Sequence, residues 1–517
     1  MRAPLFNALS RVRLRPRSVA KVALTSLALC LTACGGDDDS PNNGGSGATS
    51  GSGGSAGTAG GGAGGSAGTA GVGGTAGAGG TAAAGGSAGT AGTGGGGGQL
   101  SFTFTTIGKR TVRSMDQDLE VELIRGDRDD GPASYLLYVP APGPNAPVVV
   151  MNEPYSGIDW TGEAVDAKWA ARGDGLHPDD DAPNYSGSDY TLYGAQSVAE
   201  AVDADVVWRL NGFAVIHAYA RFYSGGDVEG DAIDAAAAYA FASARQQELD
   251  LTRIGALGGS WGGMMTLFGA RRAPEGARPI ALAALTPLSD FVDQHQWTDD
   301  VLATQYARPA DAEAFFSPYW RRAAPSMGYP PAGAASVPFT HAGLCPGLPG
   351  KAFVPHDDWD LLIPVRQTEG LAAACGAQIE PLYWRRAPVD FQTAPLDHGP
   401  LGAEPQLPSM LTFAWTFLAT ELAQSSSSAL FTAGSEAALE EFLTLVSDAQ
   451  RTGRDPGVVL PRLRELAAPR VQLYEAGADQ FVPGGDALAR VVNRVYQTSY
   501  DAAALRAQLA TGLPTPP

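Results

Sequence analysis

The sequence predicts an α/β fold with a mostly parallel sheet, and three observations carry that expectation. Short apolar runs alternate with glycine turns and helical stretches through the middle of the chain, the rhythm of strands buried on both faces. One such run, Ile254 to Leu257, enters Gly258-Gly259-Ser260-Trp261-Gly262 and leaves into a helical stretch, a sharp strand-to-helix turn. A serine, an aspartate and a histidine, Ser260, Asp360 and His398, then follow in that order at strand ends.

The elements can be justified in chain order. Residues 1–34 read as an export signal. Arg2, Arg11, Arg13, Arg15, Arg17 and Lys21 form a basic head, and Val22 to Leu31 is apolar but short for a spanning helix. Leu31-Thr32-Ala33-Cys34 resembles a lipobox, which implies cleavage before Cys34 and acylation of it. Gly35 after that cysteine implies the outer membrane of a Gram-negative envelope. An ordinary secretory signal or an uncleaved anchor is the alternative.

Residues 35–99 are almost entirely Gly, Ala, Ser and Thr in a loose repeat. They have too little apolar area to offset the entropy of ordering, so a disordered tether is expected. As a coil it spans on the order of 45 Å. The whole chain carries 35 Lys and Arg against 54 Asp and Glu, a net charge of −19. Residues 1–34 hold six basic and no acidic residues, so their removal takes the balance to −25. That surface argues against nucleic acid and anionic lipid as partners, leaving acyl chains as the link to a membrane.

Residues 100–424 should form the main domain. Leu119 to Leu123 alternates and Tyr135 to Val139 follows the turn at Gly131-Pro132, as in antiparallel strands. Val148 to Met151 and Gly212 to Tyr219 read as buried strands. A helix is expected over Ala195 to Trp208 and another over about 229–247. Ile280 to Leu285, Lys351 to Pro355 and Ile379 to Trp384 are the later strands, and Leu411 to Glu421 a closing helix. Residues 291–345 break the rhythm with Trp297, Tyr306, Phe315, Phe316, Tyr319, Trp320 and Tyr329 among prolines, and read as a cap over the carboxyl ends of the strands. Residues 425–517 read as a helical extension. In it Leu439, Phe442, Leu443 and Val446 share one face, as do Leu488, Val491, Val492 and Val495. Of the four cysteines Cys30 lies in the signal and Cys34 is the proposed lipid site, leaving Cys345 and Cys375. The last two can bond or stay as buried thiols. No Cys/His cluster has zinc spacing. His177-Pro178-Asp179-Asp180-Asp181 reads as a solvated acidic loop rather than a calcium site.

A serine hydroxyl needs a base to act as nucleophile, and the base needs a carboxylate to hold its tautomer. His398, in Asp397-His398-Gly399 after the last strand, is the base candidate ahead of His177, His217, His295, His341 and His356. Asp360, four positions before Pro364, is the acid candidate, with Asp357, Asp358 and Asp290 as alternatives. The order Ser260, Asp360, His398 over residues 119–423 resembles the α/β-hydrolase superfamily. Asn152-Glu153-Pro154-Tyr155 is similar to the loop of cocaine esterases and X-Pro dipeptidyl-peptidases, and Gly262-Gly263 to prolyl oligopeptidases. The resemblance implies a cofactor-free serine hydrolase acting on a small ester, or on short or proline-containing peptides. It also implies an oxyanion hole built from the Trp261 backbone N–H and the Tyr155 hydroxyl, or alternatively the Tyr155 amide. A binding module on an inert hydrolase fold is the reading of another class.

Overall fold

The computed structural model describes residues 100–517 apart from 115–116, 130, 154–156, 160–194, 199–200, 203–204, 206–207, 210, 223–226, 317–319, 321–337, 385–388, 395, 397, 399–405, 424–428, 432–435 and 476–479. The signal segment, Cys34, the tether, Tyr155 and the acidic loop at His177 lie outside the described residues.

Nine strands form one sheet. In chain order they are β1 (Thr103–Ser114), β2 (Gln117–Arg128), β3 (Gly131–Val139), β4 (Ala146–Glu153), β7 (Ala214–Tyr219), β8 (Leu249–Gly259), β9 (Ala281–Leu285), β10 (Lys351–Asp357) and β11 (Ile379–Trp384). β5 (Gly157–Asp159) pairs with β6 (Ala195–Ser197) in a separate small ribbon. The strand order is β1-β2-β3-β7-β4-β8-β9-β10-β11. The first three strands and the β3–β7 pair run antiparallel, and everything from β7 to β11 is parallel. That is the α/β-hydrolase sheet expected from the sequence.

β4 shows why its sequence reads as a continuous apolar run. Val148, Val149 and Val150 are all fully buried, with Val149 in the core of one face and its two neighbours in the core of the other. Each such side chain contributes about 1.5–3 kcal/mol on burial. Helices α1 (Val228–Ala244) and α2 (Trp261–Arg271) cover one face. Asp227 caps α1, accepting from the Gly230 N–H at 2.7 Å. The two helices meet closely because a Cβ on Gly269 would lie 2.3 Å from the Ala235 Cβ. α3 (Phe291–Trp297) and α4 (His341–Leu344) come from the segment read in the sequence as a cap. α5 (Arg366–Cys375) links β10 to β11, and α6 (Gln406–Ala423) lies on the opposite face.

Two expectations change. Ala195 to Ser197 is the strand β6, so a helix does not run from Ala195; helix begins at Val198 among the described residues. The extension is not purely helical. Beside α7 (Glu436–Arg451), α8 (Leu460–Leu466), α9 (Gly484–Tyr496) and α10 (Ala502–Thr511) it holds a three-stranded sheet. Its strands are β12 (Ala429–Phe431), β13 (Val471–Glu475) and β14 (Gln480–Pro483), in the order β12-β13-β14. These strands are three to five residues long, too short for periodicity to show.

The extension is continuous with the main core. Phe442 of α7 packs on Trp384 of β11 and Phe413 of α6, with ring centroids 5.0 and 4.8 Å apart. Arg462 of α8 bonds Glu380 of β11 at 2.7 Å and lies over the Phe417 ring. Gly457 makes an antiparallel bridge to Leu382, and the Val458 N–H donates to the Pro381 carbonyl at 2.9 Å. The middle of the outer edge of β11 is thereby covered by the chain itself. At the opposite edge β1 has its register shift between Thr106 and Gly108. Ile107, between them, is 44 % exposed. Lys109 and Arg113 pair with Glu120 and Asp118 of β2 along the same ribbon.

Candidate active site

The strand-to-helix turn joins β8 to α2 and holds Ser260 at φ 55, ψ −118, a backbone region costly for a residue with a Cβ. Its N–H is fixed by the Leu285 carbonyl at 2.8 Å. A Cβ on Gly258 would sit 2.2 Å from the Gly262 carbonyl oxygen, so only glycine allows the turn to close. From the side of β4, Asn152 donates to Thr266 Oγ1 at 3.0 Å, and Thr266 donates to the Gly262 carbonyl at 2.8 Å. Trp261 opens α2, so its backbone N–H belongs to the first turn, where no earlier carbonyl of the helix can take it.

Asp360 lies in the turn after β10 and His398 after β11, both buried. The structure brings them together: Asp360 Oδ2 is 2.8 Å from His398 Nδ1, while Oδ1 accepts from the Ile363 N–H at 2.7 Å. His398 is bonded to the carboxylate through Nδ1, which orients Nε2 away from it. The other acid candidates are committed elsewhere. Asp357 Oδ1 accepts from the Trp359 N–H at 2.8 Å, and Asp358 pairs with Arg454 of the extension at 2.7 Å. Asp290 caps α3 through the Asp293 N–H and also accepts from the His341 N–H.

His356, on β10 itself, braces the acid turn. Its Nε2–H donates to the Ile363 carbonyl and its Nδ1 accepts from the Thr368 hydroxyl, each at 2.7 Å. The carbonyl can only accept, which settles the tautomer. Burial lowers its pKa, so it stays neutral beside Asp360. α3 grips the same turn, with Gln294 and Trp297 donating to the Leu362 and Leu361 carbonyls at 2.6 and 2.9 Å. Cys345 and Cys375 are bonded, with Cα atoms 5.0 Å apart, joining the residue after α4 to the end of α5.

Two buried ionic clusters flank the turn, and neither was legible as chemistry. His217 of β7 lies between Asp205, 2.8 Å from Nε2, and Glu153, 3.0 Å from Nδ1. Burial opposes its charge, but the two carboxylates outweigh it and carry its pKa up to about 10. Asp231 and Asp234 of α1 form the second. Asp231 accepts from Trp261 Nε1, and Asp234 pairs with Arg221 and Ser134. Both acids are buried on an Ala-rich helix whose sequence has no apolar stripe to show which side faces in. Among the described residues no group of three His, Cys, Asp or Glu side chains could hold a metal ion.

The model of the X-Pro dipeptidyl-peptidase (S15 family) matches residues 134–322, a span that contains Ser260 and ends before Asp360 and His398. No curated protein matches the chain. Among solved structures the chain is similar to acetyl xylan esterase 1 from a Thermoanaerobacterium species, at 12% identity and TM-score 0.35, covering 56% of this chain and 82% of that one. It is also similar to an acylaminoacyl peptidase from Pyrococcus horikoshii (12%, TM-score 0.38, 62% of this chain and 43% of that one). A puromycin hydrolase gives 14%, TM-score 0.33, 63% of this chain and 46% of that one. The chain thus spans less than half the length of the last two. The sheet, the strained serine turn and the family match make the chain a serine hydrolase, esterase or peptidase.

Proposed function

We propose that the chain hydrolyses carboxylic esters through an acyl-enzyme, exported and held at the outer membrane by lipid on Cys34. Ser260 Oγ attacks the ester carbonyl, His398 Nε2 takes the serine proton and returns it to the departing alcohol, and Asp360 holds the imidazole through Nδ1. Water then enters by the reverse route and frees the acid. The Trp261 backbone N–H and Tyr155 supply the oxyanion donors. The observation that supports this reading is the Asp360–His398 bond at 2.8 Å, in the turns after β10 and β11, in the same sheet as the strained Ser260.

Esters come first because an alkoxide leaves with little help, whereas an amine must be protonated as it departs. The S15 match supports a second reading, a peptidase for short or proline-containing peptides. Assaying p-nitrophenyl esters of graded chain length beside amino-acyl and prolyl amides separates the two. Prolyl amide turnover above ester turnover would reverse the order. Ser260→Ala should abolish turnover of either class and fluorophosphonate labelling, with little change in melting temperature. Labelling that survives in that variant would remove Ser260 as the nucleophile. Cys34→Ser should release the protein from the membrane fraction or leave it unprocessed, and unchanged partitioning would remove the lipid anchor.

A further inference from the structure

Asp231 is buried, and both its oxygens are used by donors around the serine turn. Oδ2 accepts from Trp261 Nε1 at 2.6 Å, while Oδ1 accepts from the Arg221 and Phe222 backbone N–H groups at 2.7 and 2.9 Å. The Trp261 ring is held between Phe222, 4.4 Å away, and Phe291, edge-on at 5.9 Å. The carboxylate itself rides on α1, which is tied to β3. Arg221 bonds Asp234 one turn on, and also the Ala133 carbonyl and Ser134. A chain of bonds therefore runs from β3 through α1 to the residue after Ser260.

We propose that Asp231 is a positioning residue for the oxyanion site, fixing through the Trp261 indole the direction of the Trp261 backbone N–H. The indole and the amide belong to one residue, at the first position of α2, next to a serine held in strained backbone. A ring free to tilt would let the peptide between Ser260 and Trp261 relax and turn its N–H off the developing oxyanion. A buried carboxylate is a poor device for stability alone, since an apolar pair of similar volume serves as well or better. It is a good device for direction, because Nε1–H has one donor axis and Asp231 Oδ2 meets it at 2.6 Å, its other oxygen being pinned by two backbone N–H groups.

The proposal rests on the reading of Ser260 as nucleophile, so labelling of the wild-type chain by a fluorophosphonate comes first. Absence of labelling ends that reading and this one with it. Given labelling, kinetics are measured on Asp231→Asn, Trp261→Phe and the double variant. Asn offers one acceptor and one donor, so it cannot serve N–H groups on both sides. Each single variant should lose about 10- to 100-fold in kcat, short of removing an oxyanion donor outright. KM should stay within about threefold, because a donor aimed at the oxyanion acts mainly in the transition state. The double variant should be no slower than the slower single, as both act through one bond. Affinity for a boronate inhibitor, which forms the tetrahedral adduct, should fall by the same factor as kcat. Losses that multiply in the double variant, or a Trp261→Phe chain with wild-type kcat, would overturn the proposal. Trp261→Phe decides the matter even where Asp231→Asn does not fold.

Discussion

Asp360 divides its two oxygens between its own turn and His398, so its substitution disturbs more than charge. Asp360→Asn keeps the shape but can place an N–H against Nδ1, releasing the tautomer in which Nε2 is the base. A loss in kcat of about 10⁴ is expected, with folding retained. Asp358→Asn, whose partner is Arg454 on the extension, should stay near wild type. Stopped-flow acylation rates on both variants check this. His217 acts on stability instead. Its folded pKa of about 10 lies above the unfolded value of 6.5, so its contribution is complete below 6.5 and is lost as pH rises through 10. His217→Gln leaves Asp205 and Glu153 facing each other and should cost about 3–5 kcal/mol at pH 7 in urea unfolding. The gap between variant and wild type should narrow towards pH 10; a gap independent of pH would mean His217 is not the cation. Ser260, Asp360 and His398 could be singled out in the sequence because each follows a readable strand and their order is distinctive. His217 and Asp231 could not, because their meaning lies in partners from other elements: Asp205 and Glu153 for one, Trp261 for the other.

α3 and α5 illustrate how elements far apart in sequence hold one turn. α3 donates to the Leu361 and Leu362 carbonyls, Arg366 at the start of α5 bonds Asp293, and the disulfide closes the far end. The disulfide spans a separation of 30 residues, and that loop contains Asp360. On loop-closure entropy the bond contributes about 3–4 kcal/mol. Replacing Cys345 and Cys375 by Ser together should lower stability by about that amount and leave kcat within about twofold, since the acid turn keeps its own bonds to His356 and α3. A fall in kcat without a fall in melting temperature would show that the bond aligns the site rather than steadying the fold. The parallel strands were legible because strands buried on both faces are continuous apolar runs. β6 and β12–β14 were not, being so short that only their pairing defines them. The aromatic residues from Trp297 to Tyr329 set this segment apart in the sequence, but composition does not reveal that Trp297 and Gln294 hold the acid turn.

At the scale of the molecule, the extension belongs to the same compact unit as the sheet. The faces of α7 and α9 that read as amphipathic are buried in the core shared with α6 and β11. Amphipathic periodicity said that these helices must dock, but it carries no address. The address is set by Arg462 on Glu380, Phe442 on Trp384 and the return of Gly457 to Leu382. That return leaves the two flanks of the sheet unequal. A flank partly occupied by its own chain is a poorer template for a neighbour, whereas β1 offers a 12-residue rim. Its safeguards are the register shift, the charged pairs with β2, and a single lapse, the half-exposed Ile107. Ile107→Lys should therefore slow turbidity growth on mild heating without altering kcat, while the same test on a buried position would simply unfold the chain. Copies brought close together would therefore meet rim to rim, through this one ribbon rather than through the catalytic face.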